Sequence, residues 1–351
     1  MFITGVGTAA PAARYTQEAC WSAFRGSGHF ARLSAPARLL LERVLLGDSG
    51  IEARHLALER LEEAFDVDPD VLARRYAKAA PALAIQAARR ALHDAGVQAD
   101  DVDAILVSTC TGYLCPGLTS YVGEALGLRT DVLALDLVGQ GCGAALPNLR
   151  TADALVASGR RHVLSVCVEV CSAALYIDDD PGVLVSACIF GDGAGAAVLS
   201  AAPPEGSRPV RWRESASVHA PADRDALRME SCGGLLRNVL SKQVPAIAGR
   251  HAAGVLRSTL EAHGLDRADI RAWIWHAGGR TVLDRLRDSA ALEEAAMQRS
   301  RAVLGRFGNL SSAFVFFVLE AALRERAPAG WWWMSSFGAG FSCHGALLEV
   351  A

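Results

Sequence analysis

Short apolar runs that alternate with amphipathic helical stretches are the feature that most restricts the fold of this chain. Apolar residues recur at helical spacing over residues 79–96, and a continuous apolar run follows at 104–107. Strands that read as continuous apolar runs are typical of a sheet covered by helices on both faces. Further elements are predicted in the first half: helices at 120–126 and 142–157, strands at 132–137 and 162–168, and a strand with a turn at 186–200.

The same alternation resumes after a proline-rich stretch. Residues 203–221 contain four prolines and scattered charges, which is typical of a junction between structural units. The pattern beyond it predicts helices at 245–263, 281–288, 292–304 and 312–326, and strands at 272–275, 331–335 and 345–350. We therefore expect an internally duplicated, layered α/β fold with halves at 1–205 and 222–351.

Composition excludes several classes of function. The chain has 351 residues, 51% of them hydrophobic and 21% charged, so it should be compact and globular. Its 35 basic and 38 acidic residues are interspersed, which disfavours binding to nucleic acid or to an anionic membrane. Lys78 and Lys242 are the only lysines, so Schiff-base and pyridoxal chemistry are disfavoured.

Cysteine content and terminal sequence bear on the compartment. Residues 1–7 lack the basic start and apolar stretch of a secretion signal, and the apolar segment 313–319 is too short to span a membrane. Nine cysteines, an odd number, argue against a disulfide framework. We expect a cytoplasmic protein with free thiols and no membrane insertion.

Two glycine-rich patterns loosely match the dinucleotide-binding fingerprint, at 5–10 and 191–196. That fingerprint requires a strand before it and a helix after it. Pro11 follows the first pattern almost at once, and the strand-like run 197–199 follows the second. Glycines beside tightly packed backbone explain both patterns better than a nucleotide site.

Cys142 is the first candidate catalytic residue. A predicted strand ends near Leu137, a glycine-flanked turn follows, and a predicted helix begins at Cys142. The positive end of the helix dipole and unpaired N–H groups favour the thiolate, which is the nucleophilic form. A small buried residue at a crowded helix start is the alternative reading for a lone cysteine.

His276 and Asn309 add the groups that a nucleophilic thiol needs. His276 lies where an apolar strand ends in a glycine turn, and Asn309 lies just before a long apolar helix. Each alone has a structural alternative, hydrogen bonding for the histidine and helix capping for the asparagine. Together with Cys142 they supply a nucleophile, a base, and an amide donor for a developing oxyanion.

At these motifs the chain resembles the type III polyketide synthases, the chalcone synthase-like branch of the thiolase superfamily. The resemblance extends from Gly5 to Glu349, and the separation of 33 residues between His276 and Asn309 also matches. It implies a thiolase-like αβαβα fold. The matching stretches are Cys142 in its glycine turn, 189–194, 273–279, 308–312 and 336–340.

The resemblance implies a mechanism without metal or redox cofactor. Cys142 would accept an acyl group from a CoA thioester, while His276 and Asn309 bind the carbonyl of malonyl-CoA. Loss of CO2 would give an enolate that attacks the acyl thioester. Phe190 resembles the family's gatekeeping phenylalanine, where an apolar face would disfavour the charged carboxylate. Phe337 is the further substrate contact that the resemblance assigns.

Several positions depart from the plant members of the family. Asn238 lies where plant enzymes commonly have a second phenylalanine. Asp48 and Glu52 replace basic CoA contacts, which leaves Arg54 as the candidate phosphate partner. Ala339 replaces a proline of the loop 336–340, which would loosen one wall of the cavity.

Two further cysteines match cavity positions of the family. Cys171 lies where plant enzymes have a threonine, and Cys110 also matches a cavity or dimer-contact position. Cys167 and Cys171 have metal-like spacing, but no second pair completes a four-ligand site. Small side chains at 110, 171 and 174 would open a pocket or tunnel for an alkyl chain.

The sequence therefore predicts an acyltransferase that condenses a fatty acyl-CoA with several malonyl-CoA units. Cyclisation would give an alkylresorcinol, an alkylresorcylic acid or an alkylpyrone. The alternative is a single-condensation enzyme similar to ketoacyl synthase III, which shares Cys, His and Asn. The family resemblance also implies a homodimer. The sequence does not determine the length of the starter or the number of extensions. It also leaves open whether the acyl donor is CoA or an acyl carrier protein.

Overall fold

A computed structural model describes residues 1–203 and 208–351. The strands are β1 (Phe2–Ala9), β2 (Arg14–Thr16), β3 (Ala53–His55), β4 (Ala104–Ser108), β5 (Leu133–Leu137), β6 (His162–Glu169), β7 (Gly193–Ser200), β8 (Val210–His219), β9 (Leu227–Cys232), β10 (Leu235–Leu240), β11 (Ile270–Trp275), β12 (Gly330–Gly338) and β13 (Ser342–Val350). The helices are α1 (Gln17–Gly26), α2 (Gly28–Arg32), α3 (Ala35–Leu46), α4 (Pro69–Ala95), α5 (Leu118–Leu126), α6 (Ala145–Ala157), α7 (Pro181–Ile189), α8 (Val244–Ala262), α9 (Arg280–Ser289), α10 (Gln298–Phe307) and α11 (Phe314–Arg324).

Nine strands form one mixed sheet in the order β11-β12-β13-β8-β1-β7-β6-β4-β5. The strands of the first half lie on one side of β1, and those of the second half begin at β8. These two central strands pair through only two residue pairs, Phe2 with Arg211 and Ile3 with Val210. The two halves therefore meet at a short seam. Of the described strands, β9 and β10 form a separate hairpin, and β2 pairs with β3 in another two-stranded sheet.

Alternating side chains place helices on both faces of the first half. In β7, Ala197 and Leu199 pack in the core that contains α6 and α11, whereas Ala196 and Val198 pack in the core that contains α4. Helix α6 also contacts β12 and β13 of the second half, and α11 contacts β1, β7, β11 and β12. These two helices thus form a middle layer between the halves, and the layered α/β fold predicted from the sequence is confirmed.

Close packing explains the first glycine pattern. Gly5 and Gly7 lie within β1, against the backbone of α4. A Cβ atom at either position would lie 2.3 Å from the carbonyl oxygen of Ala91 or 2.4 Å from that of Ala87. Only glycine permits this approach of helix to strand, which agrees with packed backbone rather than a dinucleotide loop.

Two predictions about the middle of the chain need correction. Residues 186–189, predicted as strand and turn, end helix α7, whose first turn is capped by the Asp180 carboxylate. The proline-rich junction contains β8, which pairs with β13 along most of its length. The predicted boundary at residue 205 lies outside the described residues. The division into halves at 205 and 222 stays a prediction.

Within residues 1–203 and 208–351, none of the helices combines the length and the apolar character needed to cross a bilayer.

Candidate active site

Two neighbouring chambers share a wall that contains Cys142, Phe190 and Asn238. The outer chamber, of about 720 Å³, is lined at one end by buried His276 and Asn309 and at the other by exposed charged side chains. The inner chamber, of about 90 Å³, is lined by mostly apolar side chains that include those of Phe24, Leu56, Leu58, Leu61 and Phe65. Cys142, His276 and Asn309, distant in sequence, line the same outer chamber.

Cys142 is held in a turn that glycine makes possible. It lies in the short 3-10 turn Gly141–Gly143, and α6 begins only at Ala145. A Cβ atom at Gly143 would lie 3.0 Å from the backbone nitrogen of Gly338, and one at Gly338 would lie 2.3 Å from that of Gly143. The end of β12 therefore presses directly against the turn. This contact between the halves fixes the position of the sulfur.

The ionisation of Cys142 differs from the sequence expectation. Burial and, to a lesser extent, the negative charge of Glu169 raise the pKa of its thiol to about 12, although the hydroxyl of Ser311 donates a hydrogen bond to the sulfur at 3.2 Å. The helix terminus was expected to favour the thiolate. The loss of water around the sulfur outweighs that effect, so a proton acceptor must be close for the thiol to react.

His276 lines the same chamber and is the candidate acceptor for that proton, although no hydrogen bond joins its ring to the Cys142 sulfur among the described residues. Its backbone nitrogen bonds the carbonyl of Ser335, which ties it to β12, and its ring packs edge-on against Phe314 and Phe337 with centroid distances of 5.6 and 5.0 Å. The side chain is 1% exposed, and neither ring nitrogen has a hydrogen-bond partner among the described residues. Burial lowers the pKa of His276 to about 3. The resting imidazole is therefore neutral, with both nitrogens left for a ligand or a thiol.

Asn309 is oriented by its own loop. It follows α10 after Gly308, whose φ of +73° favours glycine. Its backbone pairs with that of Ile189 and Gly191, and its side-chain oxygen accepts a hydrogen bond of 2.9 Å from the backbone nitrogen of Ser311. Because the oxygen is occupied, the amide NH2 is the end that remains to donate to a substrate carbonyl.

Sequence reasoning missed a buried hydrogen-bond network behind Cys142. Glu169 is fully buried at the end of β6 and accepts hydrogen bonds from Thr111, Ser312 and the backbone of Cys110. Burial raises the pKa of this carboxyl above its ordinary value. The Ser311 hydroxyl lies 3.3 Å from Glu169 and 3.2 Å from Cys142, so it links them. The sequence contained one signal for this network, an acidic residue at the end of an apolar strand.

The remaining predicted substrate contacts fall in different parts of the two chambers. Phe190 and Asn238 lie between the chambers, where Asn238 donates a 2.7 Å hydrogen bond to Ser186. Phe337 lines the outer chamber beside His276. Cys110 and Cys171 line the inner chamber.

Arg54 does not lie where a phosphate contact was predicted. Its side chain is 6% exposed, and its guanidinium donates to the side-chain oxygen of Gln17 at 3.2 Å and to the carbonyls of Ala187 and Phe190 at 2.8 and 3.0 Å. These bonds fix the backbone that carries Phe190. Because the side chain is buried and three of its five N–H donors are used internally, Arg54 is a structural residue rather than a phosphate ligand.

Other cations lie at the exposed end of the outer chamber. Arg43 of α3, Lys242 and Arg280 line it together with one carboxylate, that of Asp48. Asp48 forms an ion pair with Arg280 and also accepts a hydrogen bond from it through its backbone carbonyl. The chamber therefore has a charged, exposed end and an uncharged, buried end.

Comparisons with known proteins match the chain to one family. A family model described as FAE1/type III polyketide synthase-like protein matches residues 11–253, and one for the C-terminal domain of chalcone and stilbene synthases matches 226–350. The chain is 34% identical to 1,3,6,8-tetrahydroxynaphthalene synthase of Streptomyces peucetius subsp. caesius, covering 89% of this chain and 84% of that protein. It is 29% identical to the α-pyrone synthesis polyketide synthase-like protein Pks18 of Mycobacterium tuberculosis, covering 86% and 80%.

Solved structures show the same architecture. The crystal structure of PKS-I from the brown alga Ectocarpus siliculosus superposes with a TM-score of 0.90 at 26% identity, covering 99% of this chain and 98% of that one. The similarity extends over both halves, so the fold is the thiolase-like layered fold expected from the motifs.

Proposed function

Since this chain belongs to the type III polyketide synthase family and is a condensing enzyme of the acyltransferase type, we propose that Cys142, His276 and Asn309 carry its reaction. The observation that supports this most is their position at the buried end of one chamber whose other end carries cations. Family members use acyl-CoA and malonyl-CoA. A CoA thioester fits such a chamber because its phosphates would lie among the cations while its thioester reaches the sulfur.

In the first step the starter is loaded on Cys142. The thiol gives its proton to the neutral imidazole of His276, and the thiolate attacks the thioester carbonyl. The bond between the carbonyl carbon and the CoA sulfur breaks, and CoA leaves as its thiol after taking a proton. The acyl group is then held as a thioester on Cys142.

In the second step malonyl-CoA extends the chain. Asn309 and His276 donate hydrogen bonds to its thioester oxygen, the bond to the carboxylate breaks, and CO2 leaves. The electron pair forms an enolate that attacks the acyl carbon and expels the Cys142 thiolate. The product is two carbons longer. Because decarboxylation supplies the carbanion, we expect activity to persist after dialysis against EDTA.

The starter we propose is a fatty acyl group, cyclised after several extensions to an alkylresorcinol, alkylresorcylic acid or alkylpyrone. The apolar walls of the inner chamber support it, since Phe24, Leu58 and Phe65 offer no partner for a polar group. A short starter is the second candidate, because about 90 Å³ is too small for a long chain. The relatives named above make a naphthalene and a pyrone, by their names, so products vary in this family.

An acyl-CoA series separates these possibilities. The enzyme is incubated with malonyl-CoA and acyl-CoA starters from two to sixteen carbons, and products are identified by mass spectrometry. Repeated extension with the longer starters is expected. Turnover confined to short starters would favour the second candidate. Products extended by only one two-carbon unit would instead support an enzyme similar to ketoacyl synthase III and overturn the polyketide assignment.

We also propose a homodimer built on the free edge of the sheet. Strand β5 is the last in the sheet order, and an unpaired edge invites another chain. Tyr113 and Val138 beside it are 78% and 63% exposed, which is unusual for apolar side chains of this size. Light scattering should give twice the chain mass, and Ala134→Pro in β5 should lower it. A monomeric wild type would refute the dimer.

The free thiols bear on the compartment. All nine cysteines are unpaired, which suits a reducing environment. We propose that the protein works in the cytoplasm, which can be tested by fractionation of the cells that produce it.

A further inference from the structure

A third cavity lies beside the inner chamber, on the side away from His276. This side hollow has a volume of about 530 Å³ and is lined by residues that include Leu72, Tyr76 and Leu235. Tyr113 and Val138 of the proposed dimer edge also line it, so the partner subunit would cover its outer side. It shares wall residues with the inner chamber, among them Cys110, Met229 and Ala339. A thin partition therefore separates about 90 Å³ of space next to Cys142 from a much larger apolar volume.

Part of that partition is the hairpin of β9 and β10, which supplies Arg228 and Met229 to both cavities. Residues Leu227, Arg228, Met229 and Asn238 face the inner chamber, while Arg228, Met229 and Gly234–Leu236 face the side hollow. The hairpin pairs only with itself and is not part of the nine-stranded sheet. Its position consequently depends on side-chain contacts rather than on a continuous ladder of hydrogen bonds.

Besides the hydrogen bond from Asn238 to Ser186 of α7, two kinds of contact hold the hairpin. Its base is anchored by backbone, with Ser241 bonded to Ala226 at 2.8 Å. Its middle is held by Arg237, which lies 3.1 Å from Asp178 and 3.4 Å from Asp180 in the segment before α7, and also bonds Glu230 of β9 at 2.9 Å. These ion pairs tie the hairpin to the segment that also carries Tyr176, another residue of the inner chamber.

We propose that the Arg237 clasp, defined as Arg237 with Asp178, Asp180 and Glu230, sets the length of acyl chain that the enzyme accepts on Cys142. The proposal rests on the acyl transfer proposed above. When the clasp is closed, the hairpin confines the acyl chain to the inner chamber. When it opens, or when Met229 changes rotamer, the inner chamber and the side hollow join into one space.

Size and chemistry support this role. Ligand-binding cavities typically measure about 300–1,000 Å³, so the inner chamber alone falls short and the joined space does not. Methionine is unbranched and adapts to different neighbours, which suits position 229 in a movable wall. The carboxylates of the clasp are 32–44% exposed, so salt screens these ion pairs and weakens the closure.

The test compares Arg237→Gln with the wild type and with Arg213→Gln. Arg213 is a matched control because it forms an ion pair of similar exposure with Glu349, on strands far from both chambers. Acylation of Cys142 by decanoyl-CoA and by acetyl-CoA is followed by intact mass, without malonyl-CoA. The ratio of decanoyl to acetyl rates is expected to rise about tenfold in Arg237→Gln and to stay unchanged in Arg213→Gln. A gain with the long substrate cannot result from partial unfolding.

Three further measurements make the test decisive. Met229→Ala should raise the same ratio by opening the partition directly, and added NaCl should raise it in the wild type but not in Arg237→Gln. Arg237→Lys should restore part of the wild-type ratio. Ratios unchanged in both Arg237→Gln and Met229→Ala would overturn the proposal while leaving acyl transfer intact. If no acyl-CoA acylates the wild type, the proposed function itself fails.

Discussion

The two ends of the outer chamber differ in almost every physical property. At the buried end, His276 and Asn309 are each 1% exposed, and the ionisable groups there are neutral at rest. At the exposed end, Arg43, Lys242 and Arg280 are charged and in contact with solvent, and Asp48 holds Arg280 in an ion pair.

The difference separates two tasks that a single environment would perform poorly. A dry site strengthens hydrogen bonds to a developing enolate oxygen, because no water competes for the donors. A polyanionic ligand such as CoA is better held where its phosphates keep part of their hydration and meet mobile cations. We expect mutations at the buried end to change the chemical step and mutations at the exposed end to change binding.

The largest effect is expected for Cys142→Ala. Condensation should fall by at least about 10³-fold, because the acyl acceptor is lost, while CO2 release from malonyl-CoA persists through His276 and Asn309. His276→Ala should lose both activities. Radiolabelled CO2 and polyketide product are measured together, with Cys232→Ser as the control at an exposed thiol. Full condensation in Cys142→Ala would remove the nucleophile from the mechanism.

A smaller loss is expected for Asn309→Ala. Removal of one oxyanion donor typically costs about 10²- to 10³-fold in rate, and here the loss should appear in kcat for malonyl-CoA decarboxylation. Acylation of Cys142 by the starter should change much less, since Asn309 acts on the malonyl carbonyl. If starter loading and decarboxylation fell equally, Asn309 would serve general positioning rather than the enolate.

The buried histidine should also make the fold sensitive to acid. An unfolded histidine titrates near pH 6.5, whereas the pKa of His276 is lowered to about 3. Between these values the unfolded state binds a proton that the folded state does not, so the free energy of unfolding decreases as the pH falls. From pH 7.5 to pH 5 the wild type should lose about 2 kcal/mol more than His276→Gln.

Urea unfolding at the two pH values measures this difference. His344, whose pKa burial lowers to about 4, is present in both proteins and its contribution cancels. An equal loss in both would mean that His276 is hydrated in solution, which would contradict a dry end of the chamber.

The smallest effect is expected at the exposed end. Asp48→Asn should free Arg280 for the CoA phosphates and lower KM for malonyl-CoA about two- to fivefold, with kcat unchanged. The phosphate-free N-acetylcysteamine thioester should show no change. Glu42→Gln, at an exposed carboxylate of α3 outside the chamber lining, is the control. A change in kcat, or an equal change in KM for the phosphate-free thioester, would contradict the division of chemistry and binding between the two ends of the chamber.

Local patterns predicted the scaffold more accurately than the environment of the site. The periodicity at 79–96 and 245–263 predicted parts of α4 and α8, because a long amphipathic face is visible in the sequence itself. Strand β8 was missed because its alternating half-exposed residues lie in a proline-rich stretch. The hairpin of β9 and β10 was missed for a related reason, since neither strand reads as a buried apolar run.

For the candidate site residues, too, the sequence predicted identity better than chemical environment. Cys142 was found from its glycine turn, but its helix begins three residues later, and burial moved its pKa opposite to the expected direction. Arg54 was assigned to a phosphate from the family resemblance, although its guanidinium donates to the carbonyls of Ala187 and Phe190. Neither effect is visible in sequence, because both arise from contacts that form only when the chain folds.

The sequence by itself determined many of the strands and helices after residue 79 and the three side chains with the chemistry for acyl transfer, since these depend on local periodicity and residue type. Only the tertiary structure decided which side chains share a chamber, which charges are free, and where Glu169 and the Arg237 clasp act. Burial, dielectric environment and ion pairing are properties of contacts between distant segments, and those contacts exist only after the chain has folded.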